Sequence, residues 1–466
     1  MPVSTASGVQ YGSGDFYTYI LRDLYGPVIR EALLNPNAML GRLARSPKKF
    51  SGKLATEPLH TGRNRGISSI GEDGALPMPG NQSYERNKIP VRHMYGRIKF
   101  TGIAEDASGD SASSWASVIE SEVKGLITDF NRDRNRIFHN DGSGAIGYVS
   151  AIGTFSTTQL VTIRANPLVE LASAMGTGVD RFNPVRLWVE AGDTLAFVDD
   201  GGNGAVGSST GFVPTTAITS VDKDAGTLTY TENVGAGGVA VGDLVVRYAD
   251  KSESWSPEHS GWRRECMGIA GIFSDGAVSA YGSEASDVAS GLATDSFQGI
   301  DPSTVDVHRA QILDVQSGGS NVALSPTHMH QMFLNIMKDG GVMPTAIYGS
   351  FGAYQAYLEL GDDYRRYNDN IKKIDVGWET ANYNGIPILF DRDCYSNRFY
   401  WAYEPGIEYW EMRPPAWMDR DGSVYSRMAD RDAYQATYFC RENLACEVRR
   451  EQGLLVGFGE AGETIS

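Results

Sequence analysis

The chain has 466 residues, 41% hydrophobic and 10% aromatic, enough for two or three ordinary domains or one large domain with insertions around a sizeable core. No apolar run approaches the roughly eighteen residues of a membrane span, and the polar opening MPVSTASGVQYGSG has neither a basic start nor an apolar signal core. Folding in a cytoplasm is therefore expected. The net charge of −16 is uneven: residues 1 to 100 hold 14 Lys and Arg against 7 Asp and Glu, the remainder 27 against 50. A basic arm on an acidic body suits either a solvated tail or an arm lying on acidic protein surface, such as another copy of the chain. It disfavours tight nucleic-acid binding by the body, because phosphate affinity comes mainly from Lys and Arg.

In chain order, Phe16, Ile20, Leu24, Ile29 and Leu33 suggest short amphipathic helical pieces broken near Gly26-Pro27. Residues 46 to 95 have few large apolar side chains, and GISSIGEDGALPMPGN at their centre is rich in Gly and Pro. They read as two extended arms joined by a loose end, a hairpin-like projection that must be disordered or ordered by a neighbour. QSYERNKIPVRHMYGRIKFTG, residues 82 to 102, reads as one long strand. From Met94 it alternates cleanly, with Met94, Ile98 and Phe100 on one face and Tyr95, Arg97 and Lys99 on the other. Before Lys88 it has no apolar face to bury.

Residues 111 to 138 give the clearest helix, with Trp115, Val118, Ile119, Val123, Leu126, Ile127, Phe130 and Ile137 on one face and Ser113 or Ser114 as cap. DGSG ends it. From about 155 to 250 the runs QLVTIR, VRLWVE, TLAFVD, TAITSVD, TLTYTE and DLVVRY predict a small antiparallel barrel or sandwich. SPTHMHQMFLNIMKDGG predicts a helix with Pro326 early and Met329, Met332, Phe333, Ile336 and Met337 on its face; SFGAYQAYLELG predicts another from Ser350 to Gly361. GIPILFD reads as a strand, RFYWAYEPGIEYWEM as a hairpin around Pro405-Gly406, and AYQATYFCRENLACEVRREQGLLVGF as one or two long strands.

Chemical motifs lead nowhere firm. GSGAIG (142 to 147) matches GxGxxG, but a helix runs into it where the dinucleotide fold needs a strand, so a helix-end turn is the better reading. His328 and His330 are two apart and share no helical face, with no third ligand at helical spacing. Asp199 to Gly204, DDGGNG, lacks the twelve-residue calcium loop and reads as a solvated turn. The pairs Asp362-Asp363 and Asp391, Asp393 would need a cleft and shifted pKa values to act as acid and base. Cys266, Cys394, Cys440 and Cys446 show no CxxC spacing and read as buried free thiols. No catalytic residue, cofactor or metal is assigned.

YGRIKFTGIAEDASGDSASSWASVIESEVKGLITDFNRDRNRIFHNDGSG, followed later by NYNGIPILFDRDCYSNRFYWAYEPGIEYWE, resembles the HK97-like major capsid proteins of tailed double-stranded-DNA bacteriophages. There a strand leaves a protruding loop, reads YG, and enters a long spine helix ending in N-R and D-G-S/T-G; later comes a G-x-P-(apolar)-x-D strand. The resemblance covers the order of parts over most of the chain and implies an α+β fold. Residues 1 to 45 would be an N-terminal arm, 46 to 98 the extended loop over a neighbouring subunit, and 99 to 153 the peripheral domain with its spine helix. Residues 154 to 252 would be a β-rich insertion, 253 to 319 a peripheral connection, 320 to 400 the axial domain, and 401 to 466 the C-terminal strands.

The implied function is self-assembly into hexamers and pentamers of an icosahedral head enclosing double-stranded DNA without sequence-specific binding. Its place would be the virion, after assembly in the host cytoplasm, with no membrane and with separate scaffolding, portal and decoration proteins as possible partners. Arg63, Arg65, Tyr84, Arg86, Lys88 and Arg92 are the expected inter-subunit contacts. Lys48, Lys49, Lys53 and Lys88 lie where some relatives form Lys–Asn crosslinks, but no crosslinking motif matches and none is assigned. The rival readings are a tail or baseplate adhesion protein, with the β-rich block as binding module, and a hydrolase using an aspartate pair.

Overall fold

The computed structural model describes residues 39, 41–43, 52, 54–101, 112–165, 183–198, 211–249, 254–256, 259–274, 297–302, 304–317, 321–364, 372–373, 379–419, 423–428 and 431–460. Strands β1 (Leu54–Gly62) and β2 (Ser83–Pro90) pair antiparallel, from Leu54 opposite Pro90 to His60 opposite Tyr84, and form a sheet of their own. After Val91 the chain enters β3 (Arg92–Thr101), whose partner lies near the C-terminus. The stretch that reads as one strand is therefore two, serving different sheets. Pro90 supplies no amide to carry a ladder across the junction.

Helix α1 (Ala112–His139) crosses the inner face of β3. Closest approach falls at Gly96, where an added Cβ would sit 3.1 Å from Leu126 and 3.3 Å from Phe130. Phe130 meets Tyr438 edge-on at 4.9 Å, and Ile137 and Phe138 enter the main core beside Met267, Tyr400, Tyr409 and Leu454. The expected Trp115, Val118 and Ile119 face and the Ser113 or Ser114 cap lie outside the described side chains. Asp141 ends the helix by accepting from the Ser143 amide at 2.9 Å and hydroxyl at 2.6 Å, while Gly142 and Gly144 take φ of 82° and 79°. The Gly-rich motif is thus a helix-end turn.

The turn delivers the chain straight into β4 (Ala145–Ile152). With β5 (Gln159–Arg164), β6 (Leu195–Val198), β7 (Gly211–Phe212), β8 (Ser220–Asp222), β9 (Thr227–Tyr230) and β10 (Leu244–Arg247) it builds one seven-stranded sheet, ordered β7-β6-β10-β4-β5-β9-β8. Ile146, Val161, Val185, Phe197, Leu228 and Val245 give this block its own core. The block is a single antiparallel sheet that gathers residues 145 to 152 from ahead of the expected span. VRLWVE, expected as a strand, is instead helix α2 (Pro184–Trp188). The Asn183 side chain accepts from the Arg186 amide at 3.2 Å and Pro184 presets the first turn, so helix-start chemistry overrides the alternation. DDGGNG lies outside the described residues.

Past the short α3 (Ile269–Ile272) come β11 (Gln311–Asp314) and α4 (Pro326–Asn335), whose Ser325 hydroxyl accepts from the His328 amide at 3.3 Å. Met329, Met332 and Ile336 are buried as expected, but Met337 is 46% exposed. The last turn, Ile336–Gly340, is π-helical, and its extra residue rotates Met337 off the buried face. After β12 (Ala346–Gly349), α5 (Phe351–Tyr364) starts where the Ser350 hydroxyl accepts from Ala353 at 3.0 Å and continues beyond Gly361.

The remaining strands are β13 (Lys372–Lys373), β14 (Glu379–Thr380), β15 (Asn382–Tyr383), β16 (Ile386–Phe390), β17 (Arg398–Ala402), β18 (Ile407–Trp417), β19 (Ser426–Arg427), β20 (Ala433–Cys446) and β21 (Gly453–Val456). A six-stranded mixed sheet runs β11-β21-β17-β12-β16-β15, and β20 is flanked by β18 and β19 on one path and by β3. The hairpin expected around Pro405-Gly406 does not form. β17 is already paired with β12 and β21, so the turn Glu404–Gly406 sends β18 to a different sheet. The last predicted run likewise divides into β20 and β21, again in different sheets. From the N-terminal arm, Met39 and Leu43 are buried in the main core, and Arg42 grips Glu404 at 2.7 and 3.0 Å. Burial would raise the Glu404 carboxyl, but hydrogen bonds from Arg42 and Tyr348 hold it below its usual range.

Candidate assembly surface

The hairpin β1–β2 is attached at one end and bare at the other. At its base Ile89 is buried against Trp410 and Ala445, the Lys88 amide donates to Gln298 O at 2.7 Å, and Asn443 donates to Pro90 O at 2.7 Å. Farther out, register puts Tyr84 opposite His60 and Arg86 opposite Pro58 on one face, all four exposed. The Tyr84 and His60 rings pack at 5.1 Å. Beyond the ladder, Gly66 and Gly80 let the two chains pass closely: a Cβ on Gly66 would meet Met78 O at 2.7 Å, and one on Gly80 would meet Arg65 N at 3.0 Å.

Of the six expected contact residues, Arg63, Arg65, Tyr84 and Arg86 project from this arm. Lys88 is half-buried at the base, its stem 3.1 Å from where a Cβ would lie on Gly299. Arg92 turns into its own subunit: it is 7% exposed and sits in β3 opposite Glu442. Unanticipated were the apolar residues at the tip, Ile67, Leu76 and Met78, at 86%, 83% and 87% exposure. Their sequence signal was large apolar residues set among Gly and Pro with nothing local to pack on.

The base rests on a stiff platform. Glu442 on β20 is buried and accepts from Arg134 Nε at 2.5 Å and Nη2 at 2.6 Å; Tyr409 accepts from Arg134 at 2.6 Å and donates to Glu442. Burial, then the Glu442 carboxylate, push the Tyr409 hydroxyl far up. Deeper along α1, burial would raise the Asp133 carboxyl, but the guanidinium groups of Arg136 and Arg247 hold it at about 2. Arg136 also pairs with Glu265, tying α1 to the segment after the β-rich block.

The aspartates singled out in sequence serve as acceptors. Asn135 donates to Asp391 at 3.0 Å and Asp393 at 2.6 Å, and the Trp188 indole donates to Asp393 at 3.0 Å. Both carboxylates are buried and lock α1, α2 and the loop after β16 together. Asp362 and Asp363 lie in α5, with side chains outside those described. His330 faces Tyr383 at 3.5 Å, away from the amide contact that places His328. The four cysteines are buried, and burial pushes their thiols up. Glu57, Glu408 and Glu447 bring carboxylate oxygens within 4.8 Å of one another near the hairpin base, where Glu408 accepts from the Trp410 indole at 2.9 Å. Among the described helices none is long and apolar enough to cross a membrane.

A projecting hairpin, a strand feeding a long helix, a helix-backed antiparallel sheet and a second mixed sheet together define a capsid-type, HK97-like fold. Over 95% of its length the chain superimposes on 98% of a chain from the cyanophage A-1(L) capsid asymmetric unit, at a TM-score of 0.54 and 10% identity. Looser matches are the capsid of a native GTA particle (TM-score 0.42, 9% identity, 97% and 100% of the two chains) and a chain of Mycobacterium phage Ogopogo (TM-score 0.43, 7% identity, 94% and 98%). No protein-family model and no curated protein matches the sequence.

Proposed function

We propose that the chain is the major capsid protein of a tailed double-stranded-DNA bacteriophage, forming hexamers and pentamers that tile an icosahedral head. The observation that carries this reading is the hairpin, a long ordered arm whose apolar tip its own subunit leaves bare, on a capsid-type fold. Arms of this kind suit heterologous contacts that close into rings. Arg63, Arg65, Tyr84 and Arg86 are its contact residues toward a neighbour, with Lys88 and Arg92 holding the base. The parts are residues 1 to 45 as arm, 46 to 98 as extended loop, α1 with the β20 sheet as peripheral domain, the β-rich block as insertion, and 320 to 400 as axial domain. The head encloses DNA without reading its sequence; scaffolding, portal and decoration proteins are its partners, and it assembles in the host cytoplasm.

Expression of the full chain, alone and with the structural proteins of its phage, tests the proposal by electron microscopy. Capsomeres or shells tens of nanometres across are expected, with residues 60 to 90 protease-sensitive in free subunits and protected in shells. A chain that stays monomeric under all these conditions refutes the proposal.

A further inference from the structure

At the C-terminal end of α1, two distant parts of the chain bring nitrogen and oxygen donors together in the interior. Asn135 and His139 stand one turn apart on the same face of the helix. Asp391 and Asp393 come from the loop after β16. The four side chains are buried, at 2%, 0%, 1% and 2% exposure. The His139 ring is fixed from behind. Its Nδ1 lies 2.9 Å from the Asn135 carbonyl oxygen, which can only accept, so in the neutral ring Nδ1 carries the hydrogen and Nε2 presents its lone pair. Asp391 is fixed in the same way: its Oδ1 accepts from Asn135 Nδ2 and from the Asp393 amide, both at 3.0 Å. Its Oδ2 faces His139 Nε2 at 3.9 Å.

Among the described residues, His139 Nε2, Asp391 Oδ2 and Asn135 Oδ1 are buried with no hydrogen-bond partner. Two acceptors aimed at each other from beyond hydrogen-bond distance call for something positive between them. The charges agree. Asp391 and Asp393 share the Asn135 amide, and Arg392 lies 3.7 Å from Asp393. Asp391 itself has His139 as its one ion-pair partner among the described residues. On α1, Arg136 is already held by Asp133 and Glu265. The end of a long helix adds the partial negative charge of its carbonyls. A bridging water would satisfy both atoms but leave the buried carboxylate charge uncompensated.

Proteins hold metal ions in this manner: a ligating imidazole donates its other N–H to a backbone carbonyl, and a ligating carboxylate is anchored by hydrogen bonds. Two bonds of about 2.1 Å at a tetrahedral angle set their donor atoms about 3.4 Å apart, so closure by roughly half an ångström completes the pair. We propose that His139 Nε2 and Asp391 Oδ2, with the Asn135 amide oxygen as third donor, bind a divalent transition-metal ion that fastens the end of α1 to the loop after β16. Imidazole beside carboxylate and amide oxygens suits zinc or manganese, whereas calcium takes roughly six or more oxygens. Through Trp188, whose indole donates to Asp393 at 3.0 Å, the same ion steadies the β-rich block. The site is distinct from the Glu57, Glu408 and Glu447 group near the hairpin base and does not depend on the shell-protein reading.

The test is elemental analysis of the full-length chain, as purified and after chelator treatment followed by zinc or manganese alone. About one ion per chain is expected, with the thermal unfolding midpoint raised by about 2 °C or more. Asp391→Asn keeps the Oδ1 acceptor and removes the charge; it and His139→Gln are each expected to weaken metal binding at least about tenfold. Glu447→Gln is expected to keep its ion. Circular dichroism identifies folded variants, and if neither ligand variant folds, metal content and midpoint response of the native chain decide. A native chain that holds no stoichiometric ion, with a midpoint unmoved by zinc, manganese or chelator, overturns the site and leaves a proton on His139 as the partner of Asp391. An ion that persists in both ligand variants, or departs with Glu447→Gln, overturns it by placing the metal elsewhere. None of these results bears on the shell reading, which assembly alone decides.

Discussion

Replacing Glu442 with Ala is the sharpest test of the platform under the hairpin. The carboxylate is 1% exposed and holds two Arg134 nitrogens at 2.5 and 2.6 Å, while Tyr409 donates to it. The substitution leaves a guanidinium that is 14% exposed and a buried hydroxyl facing an empty volume. Breaking a buried pair from one side typically costs about 3–5 kcal/mol, because the surviving charge stays desolvated. The small exposure of Arg134 admits some water, so about 3 kcal/mol is expected. Removing both charges with Arg134→Met and Glu442→Leu should recover most of the loss, to within about 1–2 kcal/mol of the native chain. Urea unfolding of free subunits, followed by tryptophan fluorescence, measures both. A Glu442→Ala loss under about 1 kcal/mol, or a double variant as weak as the single, would refute the reasoning.

Gly96→Val should destabilise by about 1–3 kcal/mol, since its side chain must displace Leu126 and Phe130 from β3; an unchanged unfolding midpoint would show that α1 is not seated as described. His308 is buried against Phe297, and burial, then the Arg449 charge, hold its pKa near 3 against an ordinary 6.5. The unfolded chain therefore binds a proton that the folded one refuses. Stability is full above about 6.5 and falls as pH drops toward about 3, so His308→Phe should flatten that slope, and an unaltered slope counts against it.

The helix that organises the subunit was legible because its information is local: Val123, Leu126, Phe130 and Ile137 repeat at helical spacing, and DGSG ends the run. Arg92 shows where locality ends. By residue type it belongs outside, but a strand more than three hundred residues later sets Glu442 opposite and buries it. VRLWVE carried two signals, alternation and an Asn-Pro start, and the side-chain cap decided between them. For β17 and β18, chain proximity suggested pairing, but both edges of β17 were taken by partners that sequence order does not reveal. Charge counted as residues 1 to 100 against the rest also hid Glu72 and Asp73, at the hairpin tip, inside the chain's most basic part.

The hairpin base at Asn87 to Pro90 can also be regarded mechanically. An arm of roughly 30 Å fixed at one end is a cantilever, so a tilt of about 10° at its root carries the tip about 5 Å sideways. Asn87, Ile89 and Pro90 grip β18 and β20 through side chains and carbonyls, and the Lys88 amide adds a bond to Gln298 O at 2.7 Å. In the proposed shell, curvature would be absorbed at one small root while every tip keeps the same chemistry. Such a root would let a single sequence in that shell meet five neighbours around one axis and six around another.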